Sequence, residues 1–492
     1  MNKIALILRN VSSNLLCQIT AIISGFIVPR FFLLEYGSEI NGIVISISQF
    51  VSYLTLVEVG ISQAAVLSLY KPVAEKNISI INRNLSGIQY FYNKVTVCYI
   101  LGLSLLVIFY PLMVNVNVFS AAYLRWLVFW LAIQNILDYT ILAKYKSLLI
   151  ADQKQYIVTN AQIFGTILYT IFSYYMIVNH FDVLLVKCMS LFSYIIRGII
   201  IYVYAKNKYP FITCNNDKFI KLKERSAILL HQVTGVIVNS TDVTVLTIFS
   251  KSITDVSVYG VYNIVFIGVN SLLNALTNGI VPSFGSYISV NKYTDDFEVA
   301  FTQYIRIFYS MSFAAFSVMY VMILPFVKLF VNGVTDVEYL NNYIAIWFVI
   351  CGVANAIKSP FIMLIIAGGY YELTKRDALL EAVVNIVISI PLCMMYGVVG
   401  VLCGTVVAHI FRWITLIKLP KKIGLLISFG SYYRFLAKNV LLMMIIVIVS
   451  DEFLLYSMSQ TWEEFAFKML GVALMVSVLY GLIVIKTIRS LK

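Results

Sequence analysis

Apolar residues run along this chain in blocks of about twenty, without the polar face that a soluble helix shows every third or fourth position. A helix needs about 20 mostly apolar residues, at 1.5 Å of rise each, to cross the hydrocarbon core of a bilayer. Fourteen blocks reach or approach that length: 10–29, 40–65, 95–119, 127–143, 156–179, 183–205, 227–249 and 256–282 come first. Then follow 307–326, 343–367, 378–395, 398–417, 435–450 and 469–485. The thirteenth is the weakest, because Lys438 and Asp451 bracket a short core. The pattern predicts an all-α, polytopic integral membrane protein with about fourteen transmembrane helices.

The connections between blocks set the expected orientation. If the N-terminus is cytoplasmic, the inner loops collect Lys71, Lys76 and Arg83, then Lys144, Lys146 and Lys154. The segment 206–225 adds Lys206, Lys208, Lys218, Lys221, Lys223 and Arg225. Lys375, Arg376, Lys418, Lys421, Lys422, Arg434 and Lys438 follow, with Lys486, Arg489 and Lys492 in the tail. The other face gathers acids, among them Glu35, Glu39, Asp182, Asp255, Asp336, Glu338, Asp451, Glu452, Glu463 and Glu464. Positive charge inside is the rule for multi-spanning proteins, so both termini are expected in the cytoplasm of a bacterial inner membrane.

Composition agrees with lipid as the solvent. Hydrophobic residues make up 61% of the 492 and charged residues 12%, against about 25% charged in a soluble domain. The net charge of +13 follows from the basic inner loops, so no nucleic-acid partner is implied. Seven scattered cysteines contain no C-x-x-C pair, which supports neither a disulfide framework nor a zinc site. The first apolar run is longer than the 7–15-residue core of a cleaved signal, and Leu16 is too large for a lipoprotein cleavage site before Cys17. That run is therefore expected to remain as a helix. No connection exceeds about twenty residues, which leaves no room for a soluble catalytic domain. No nucleophilic triad, phosphate loop or dinucleotide fingerprint is visible either, so an enzyme is not expected, nor a cofactor or metal.

The two parts of the chain echo each other at an offset of about 216 residues. Tyr110-Pro111-Leu112 answers Leu324-Pro325-Phe326, and Leu149-Ile150-Ala151-Asp152 answers Ile365-Ile366-Ala367-Gly368. Gly42 and Gly60 answer Gly260 and Gly279. Six helices per half is an even number, so both halves enter from the same side, as parallel repeats of transporters do. The expected division is 1–205 (helices 1–6), a basic cytoplasmic linker 206–226, 227–420 (helices 7–12), and 421–492 (helices 13 and 14).

These features bring the chain close to a known family. Pro29-Arg30-x3-Leu34-x2-Gly37, Ile40-x-Gly42, Glu58-x-Gly60, Lys206-x-Lys208-Tyr209-Pro210 and Tyr396-Gly397-x2-Gly400-x3-Gly404 stand in the order expected of it. The chain resembles the Wzx-type polysaccharide flippases (O-antigen flippases) of the MATE-like MOP superfamily over nearly its whole length. The resemblance implies two lobes around a central cavity and an undecaprenyl-diphosphate-linked oligosaccharide as cargo. Such a protein would serve O-antigen, lipopolysaccharide or capsule biosynthesis, among membrane lipids and alongside other polysaccharide-assembly proteins.

Charges deep in apolar blocks are the best pointers to a site, because each costs about 2.5–3.5 kcal/mol at a helix centre on insertion scales. The deep set is Glu58, Asp138, Arg197, Asp242, Lys358 and Arg412, with Arg30 at the outer end of helix 1. Lys328, Arg125 and Lys468 lie near helix ends and can snorkel. Arg30, Arg197, Lys358 and Arg412 are candidates for holding a diphosphate, which a guanidinium matches in two prongs. Glu58, Asp138 and Asp242 are candidates for coupling to a cation gradient; the plainer reading of all these charges is interhelical pairing. Asn263, Asn270, Asn274 and Asn278 share one face of helix 8, and Asn10, Asn14 and Gln18 one face of helix 1, where they could meet sugar hydroxyls or stitch helices. His180, His231 and His409 have no metal-ligand spacing. Alternating access of the headgroup through a cationic cavity is the leading mechanism. A cation-coupled multidrug exporter is the second reading and a membrane-embedded polysaccharide-assembly enzyme the third.

Overall fold

A computed structural model describes residues 3–58, 61–114, 118–212, 226–291, 294–425, 428–457 and 459–489. Helices and turns account for these residues, with no strand among them. The chain divides into two compact units, Met1–Val233 and Thr234–Lys492. The first contains α1 (Lys3–Leu54), a 3-10 turn (Thr55–Glu58), α2 (Ile61–Ala74), α3 (Ile78–Met113) and α4 (Ala121–Leu137). A π turn (Asp138–Leu142) joins α4 to α5 (Ala143–Ala151), and α6 (Gln155–Val178) and α7 (Val183–Lys208) complete it. From α8 (Ser226–Phe249) the chain passes to α9 (Thr254–Asn291), α10 (Asp295–Phe330), α11 (Asn342–Gly368) and α12 (Tyr371–Leu416). The last elements are α13 (Leu419–Ile423), α14 (Phe429–Ser457) and α15 (Trp462–Arg489).

Among the described residues eleven helices are long and apolar enough to span a bilayer, or twelve when the bent pair Leu230–Val238 and Ser240–Phe249 counts as one. Two of them, Ser12–Glu58 and Tyr371–Ile423, run for 47 and 53 residues. At 1.5 Å per residue these are about 70 and 80 Å long, more than twice the roughly 30 Å core. Each is two helices joined at a glycine. Gly37 has φ 78° and Gly397 has φ 57°, a region that side chains with a Cβ avoid. Counted as pairs, and with the bent pair taken as one span, they raise the tally among the described residues from twelve to the expected fourteen.

The arms of α12 fold back on each other about Gly397. Asn385 Nδ2 donates to Thr405 Oγ1 at 3.0 Å and Ser389 Oγ to Val401 O at 3.5 Å. A Cβ on Gly400 would lie 1.9 Å from Leu392 O, and one on Gly404 would lie 2.8 Å from Ser389 Cα. The glycines at 400 and 404 therefore serve backbone contact between the arms, as small residues do at membrane helix interfaces.

Hydropathy underestimates helix length where polar turns precede the apolar run. α3 and α10 are both 36 residues long, and their first turns carry Arg83 and the acids Asp295, Asp296 and Glu298. Asn77 caps α3 by accepting from Ile80 N at 3.2 Å. Both helices end just beyond the echoed prolines Pro111 and Pro325.

In the first unit, the first arm of α1 runs alongside α6. Asn10 donates to Gln153 O and accepts from Tyr156 N, both at 2.9 Å, and Thr170 Oγ1 donates to Ser24 Oγ at 2.7 Å. The second arm runs against α3, where Tyr110 Oη donates to Ser46 Oγ at 3.1 Å. In the second unit α10 is the centre, packed by α9, α11, α14 and α15. The Phe316 ring packs against Gly352 of α11, where a Cβ would fall 2.1 Å from it. Tyr309 donates to Ile357 O at 2.6 Å and meets Tyr432 Oη at 2.8 Å, which ties α10 to both α11 and α14.

Candidate functional site

Four helices of the first unit enclose a polar cleft of about 340 Å³. α7 supplies Lys187, Ser190, Tyr194 and Arg197, spaced by three, four and three residues and so on one helical face. α6 adds Gln162, Thr166 and Tyr169, α4 adds Gln134, and the second arm of α1 adds Ser48. Gly165 permits this approach of α6 to α7: a Cβ there would lie 3.2 Å from Ser193 O. The volume falls at the lower end of ligand pockets. None of the lining residues is acidic.

The two cations of the cleft are poorly compensated. Lys187 is 7% exposed, and its ammonium stands 3.9 Å from the Phe32 ring centroid with no hydrogen-bond acceptor among the described residues. Arg197 lies over the Tyr194 ring at 4.3 Å, and its Nε is buried without an acceptor. Ring faces attract cations, but by less than a charge-assisted hydrogen bond supplies. An arriving anion would gain from both groups.

The acids nearby are already engaged. Asp138 opens the π turn, a local distortion frequent at functional sites, and is paired with Lys146 of α5. Lys146 Nζ also lies 3.5 Å from Tyr194 Oη, so this pair abuts the cleft. Glu58 ends the 3-10 turn, accepts from Tyr92 Oη at 2.9 Å and also meets the Tyr139 hydroxyl.

The second unit holds two buried polar clusters. Asp242 of α8 accepts from Thr405 Oγ1 at 2.7 Å and Tyr259 Oη at 3.1 Å, beside the Thr241–Asn385 bond of 2.7 Å. Asp242 is 4% exposed and has no basic partner among the described residues. Deeper along α12, Glu381 Oε1 receives Lys358 Nζ at 2.5 Å, and Glu381 Oε2 lies 3.5 Å from Arg412 Nε. Lys358 Nζ also meets His409 Nδ1 at 2.8 Å, and Arg412 Nη1 donates to Thr374 O at 3.2 Å. The structure thus sets Lys358 and Arg412 around one carboxylate inside the unit. Arg30 is half-buried on α1. Asn270 accepts from Asn355 Nδ2 at 3.2 Å, while Asn274 is exposed along α9.

Three participants escape a reading of hydropathy. Lys187 sits four residues into its block and looks like an end residue that can snorkel. Lys146 reads as a loop charge because its helix is drawn to stop at 143, whereas helix continues through the π turn to Ala151. Glu381 reads as part of the polar start of its block, beside Asp377. Its signal is its position on the arm of α12 that faces His409 and Arg412.

By sequence, neither a protein-family profile nor a curated protein matches the chain. By structure it is similar to the lipid II flippase MurJ in an inward closed conformation, with TM-score 0.69 and 13% identity, over 97% of this chain and 100% of that one. It is also similar to an inward-facing multidrug resistance MATE family transporter of the MOP superfamily, with TM-score 0.65 and 11% identity, over 82% of this chain and 94% of that one. The Vibrio cholerae MATE transporter VcmN in its bent form matches with TM-score 0.52 and 14% identity, over 85% of this chain and 97% of that one. The chain therefore has the many-spanning helical membrane fold of MATE and MurJ transporters.

Proposed function

We propose that this chain is a Wzx-type flippase. It carries an undecaprenyl-diphosphate-linked oligosaccharide from the cytoplasmic to the periplasmic leaflet of the inner membrane by alternating access, in O-antigen or capsule assembly. The carrying observation is the cleft whose two cations, Lys187 and Arg197, lack carboxylate partners and whose walls hold no acid. A buried cation without a counterion is costly, and a diphosphate supplies the missing charge. An organic cation would be repelled from the same walls. The similarity to a lipid II flippase spans 97% of the chain, so it takes in most of α14 and α15 as well as the earlier helices. Asn274, exposed within an apolar span, supports a wet path for sugar hydroxyls, with Asn270 and Arg30 as further contacts.

Cation coupling through Glu58, Asp138 or Asp242 belongs to the same proposal. Asp242 is the strongest of the three, being buried without a basic partner. That same feature is what a cation-coupled multidrug exporter would use, which keeps the exporter as the second reading.

The test is complementation of a flippase-null strain with Lys187→Gln and Arg197→Gln. Each single variant should reach the membrane in normal amount and lose most surface polysaccharide, on the order of tenfold or more for one charge-assisted contact. Arg197→Lys should keep part of the activity. Full complementation by both neutral variants would overturn the cationic-cleft reading. Lost resistance to organic cations, with polysaccharide unchanged, would favour the exporter.

A further inference from the structure

A second, smaller cavity lies elsewhere in the second unit, between the start of the apolar run of α10 and the first turns of α14. It measures about 110 Å³ and is lined by Thr302, Arg306, Ser431, Tyr432 and Phe435 among others. Arg306 Nη2 donates to Ser431 Oγ at 2.7 Å, and the guanidinium stands 5.8 Å from the Phe435 ring centroid. No carboxylate lies beside it among the described residues. The Tyr432 hydroxyl is engaged by Tyr309 at 2.8 Å and by Trp413 Nε1 at 3.0 Å. The Thr302 hydroxyl has no partner among the described residues. A guanidinium with donors to spare and a free hydroxyl thus face one small space.

The level of this space along the two helices says what could fill it. Arg306 is the last polar residue before the apolar run 307–326, and Ser431 and Arg434 precede the run 435–450. Both helices therefore cross from polar to apolar sequence at the cavity, which is where a bilayer places its phosphates. Arg434 and Lys438 are exposed on the same stretch of α14, and α13 adds Lys421 and Lys422. The acids Asp295, Asp296 and Glu298 of α10 lie two to three turns away from Arg306. Basic pockets between membrane helices commonly hold anionic headgroups. At about 30 Å³ per water, the space equals three to four waters, enough for one phosphate and too little for an oligosaccharide headgroup.

We propose that the α10–α14 cavity binds the phosphate of a resident anionic glycerophospholipid, with Arg306 as its cation and Thr302 as a second donor. The lipid seals the seam that joins α14 to the centre of its unit and takes no part in transport. The assignment needs the chain to span a bilayer, but not any particular cargo.

Native mass spectrometry of the intact purified chain, with added phosphatidylglycerol, phosphatidylcholine or inorganic phosphate, tests it. The wild-type chain should retain phosphatidylglycerol over phosphatidylcholine, and Arg306→Gln should weaken that retention about tenfold, the scale of a lost charge-assisted contact. Thr302→Leu fills the space and leaves the Arg306–Ser431 bond in place, so it should lower retention equally even if Arg306→Gln folds poorly. Lys438→Gln, on the surface, should not. Equal retention by Thr302→Leu and the wild-type chain would overturn the proposal. So would saturation by inorganic phosphate alone, which would make this a soluble-anion site. Displacement of phosphatidylglycerol by equimolar isoprenyl phosphate would equally overturn it, in favour of a cargo contact.

Discussion

Removing the Glu381 carboxylate should cost the protein more than removing either cation bound to it. Glu381 is shared by Lys358 Nζ at 2.5 Å and Arg412 Nε at 3.5 Å, with His409 Nδ1 at 3.4 Å, and all four residues are under 10% exposed. Glu381→Gln keeps the shape and leaves two buried cations facing each other. Breaking a buried pair in this way costs about 3–5 kcal/mol. Lys358→Met leaves Glu381 with Arg412 and His409, so its cost should be nearer the about 1.5–3 kcal/mol of one hydrogen bond to a charged group. Combining Lys358→Met with Glu381→Gln removes cation and anion together. The double variant should be less damaged than the sum of the singles by about 0.5–3 kcal/mol, the usual range for coupled neighbours. Thermal unfolding of the purified chain in one detergent reads stability, and complementation in parallel reads export. If Lys358→Met left unfolding unchanged but abolished surface polysaccharide, Lys358 would be a cargo contact and the pairing argument would fail. Additive effects in the double variant would refute the pairing as well.

Two further outcomes follow from the fold. Gly400→Leu places a side chain where a Cβ alone would lie 1.9 Å from Leu392 O, so the arms of α12 must part and folded protein in the membrane should fall several-fold; Gly430→Ala, with nothing within 4 Å of the added Cβ, should be silent in the same immunoblot. Reporter fusions within 206–225 and after residue 492 should both read cytoplasmic, and a periplasmic signal from either would reverse the orientation read from the basic loops.

What the sequence could and could not reveal follows from the range of each interaction. Hydropathy is a local property, so the spans were legible, and even the turns at Gly37 and Gly397 were foreshadowed by glycines in the motifs around them. Helix ends were less so: α3 and α10 begin in polar turns that a hydropathy window discards, and α4 passes into α5 through a π turn that no composition marks. Which buried charges are paired is a non-local property. Lys358 lies on α11, and its carboxylate lies on α12, 23 residues further along. Arg412 meets the same carboxylate only because α12 doubles back at Gly397. In contrast, Lys187 and Arg197 share a face of α7 with serines and a tyrosine between them, and no acid stands three or four residues from either. Two cations on one face of a spanning helix, without a local acid, must find their counterions on another helix, in lipid headgroups or on a ligand. The first is missing for Lys187 among the described residues, and at 7% exposure its ammonium is packed on the buried Phe32 ring rather than set at the surface. That is why we propose the cleft of the first unit, rather than the paired cluster of the second, as the place to look for an anionic cargo.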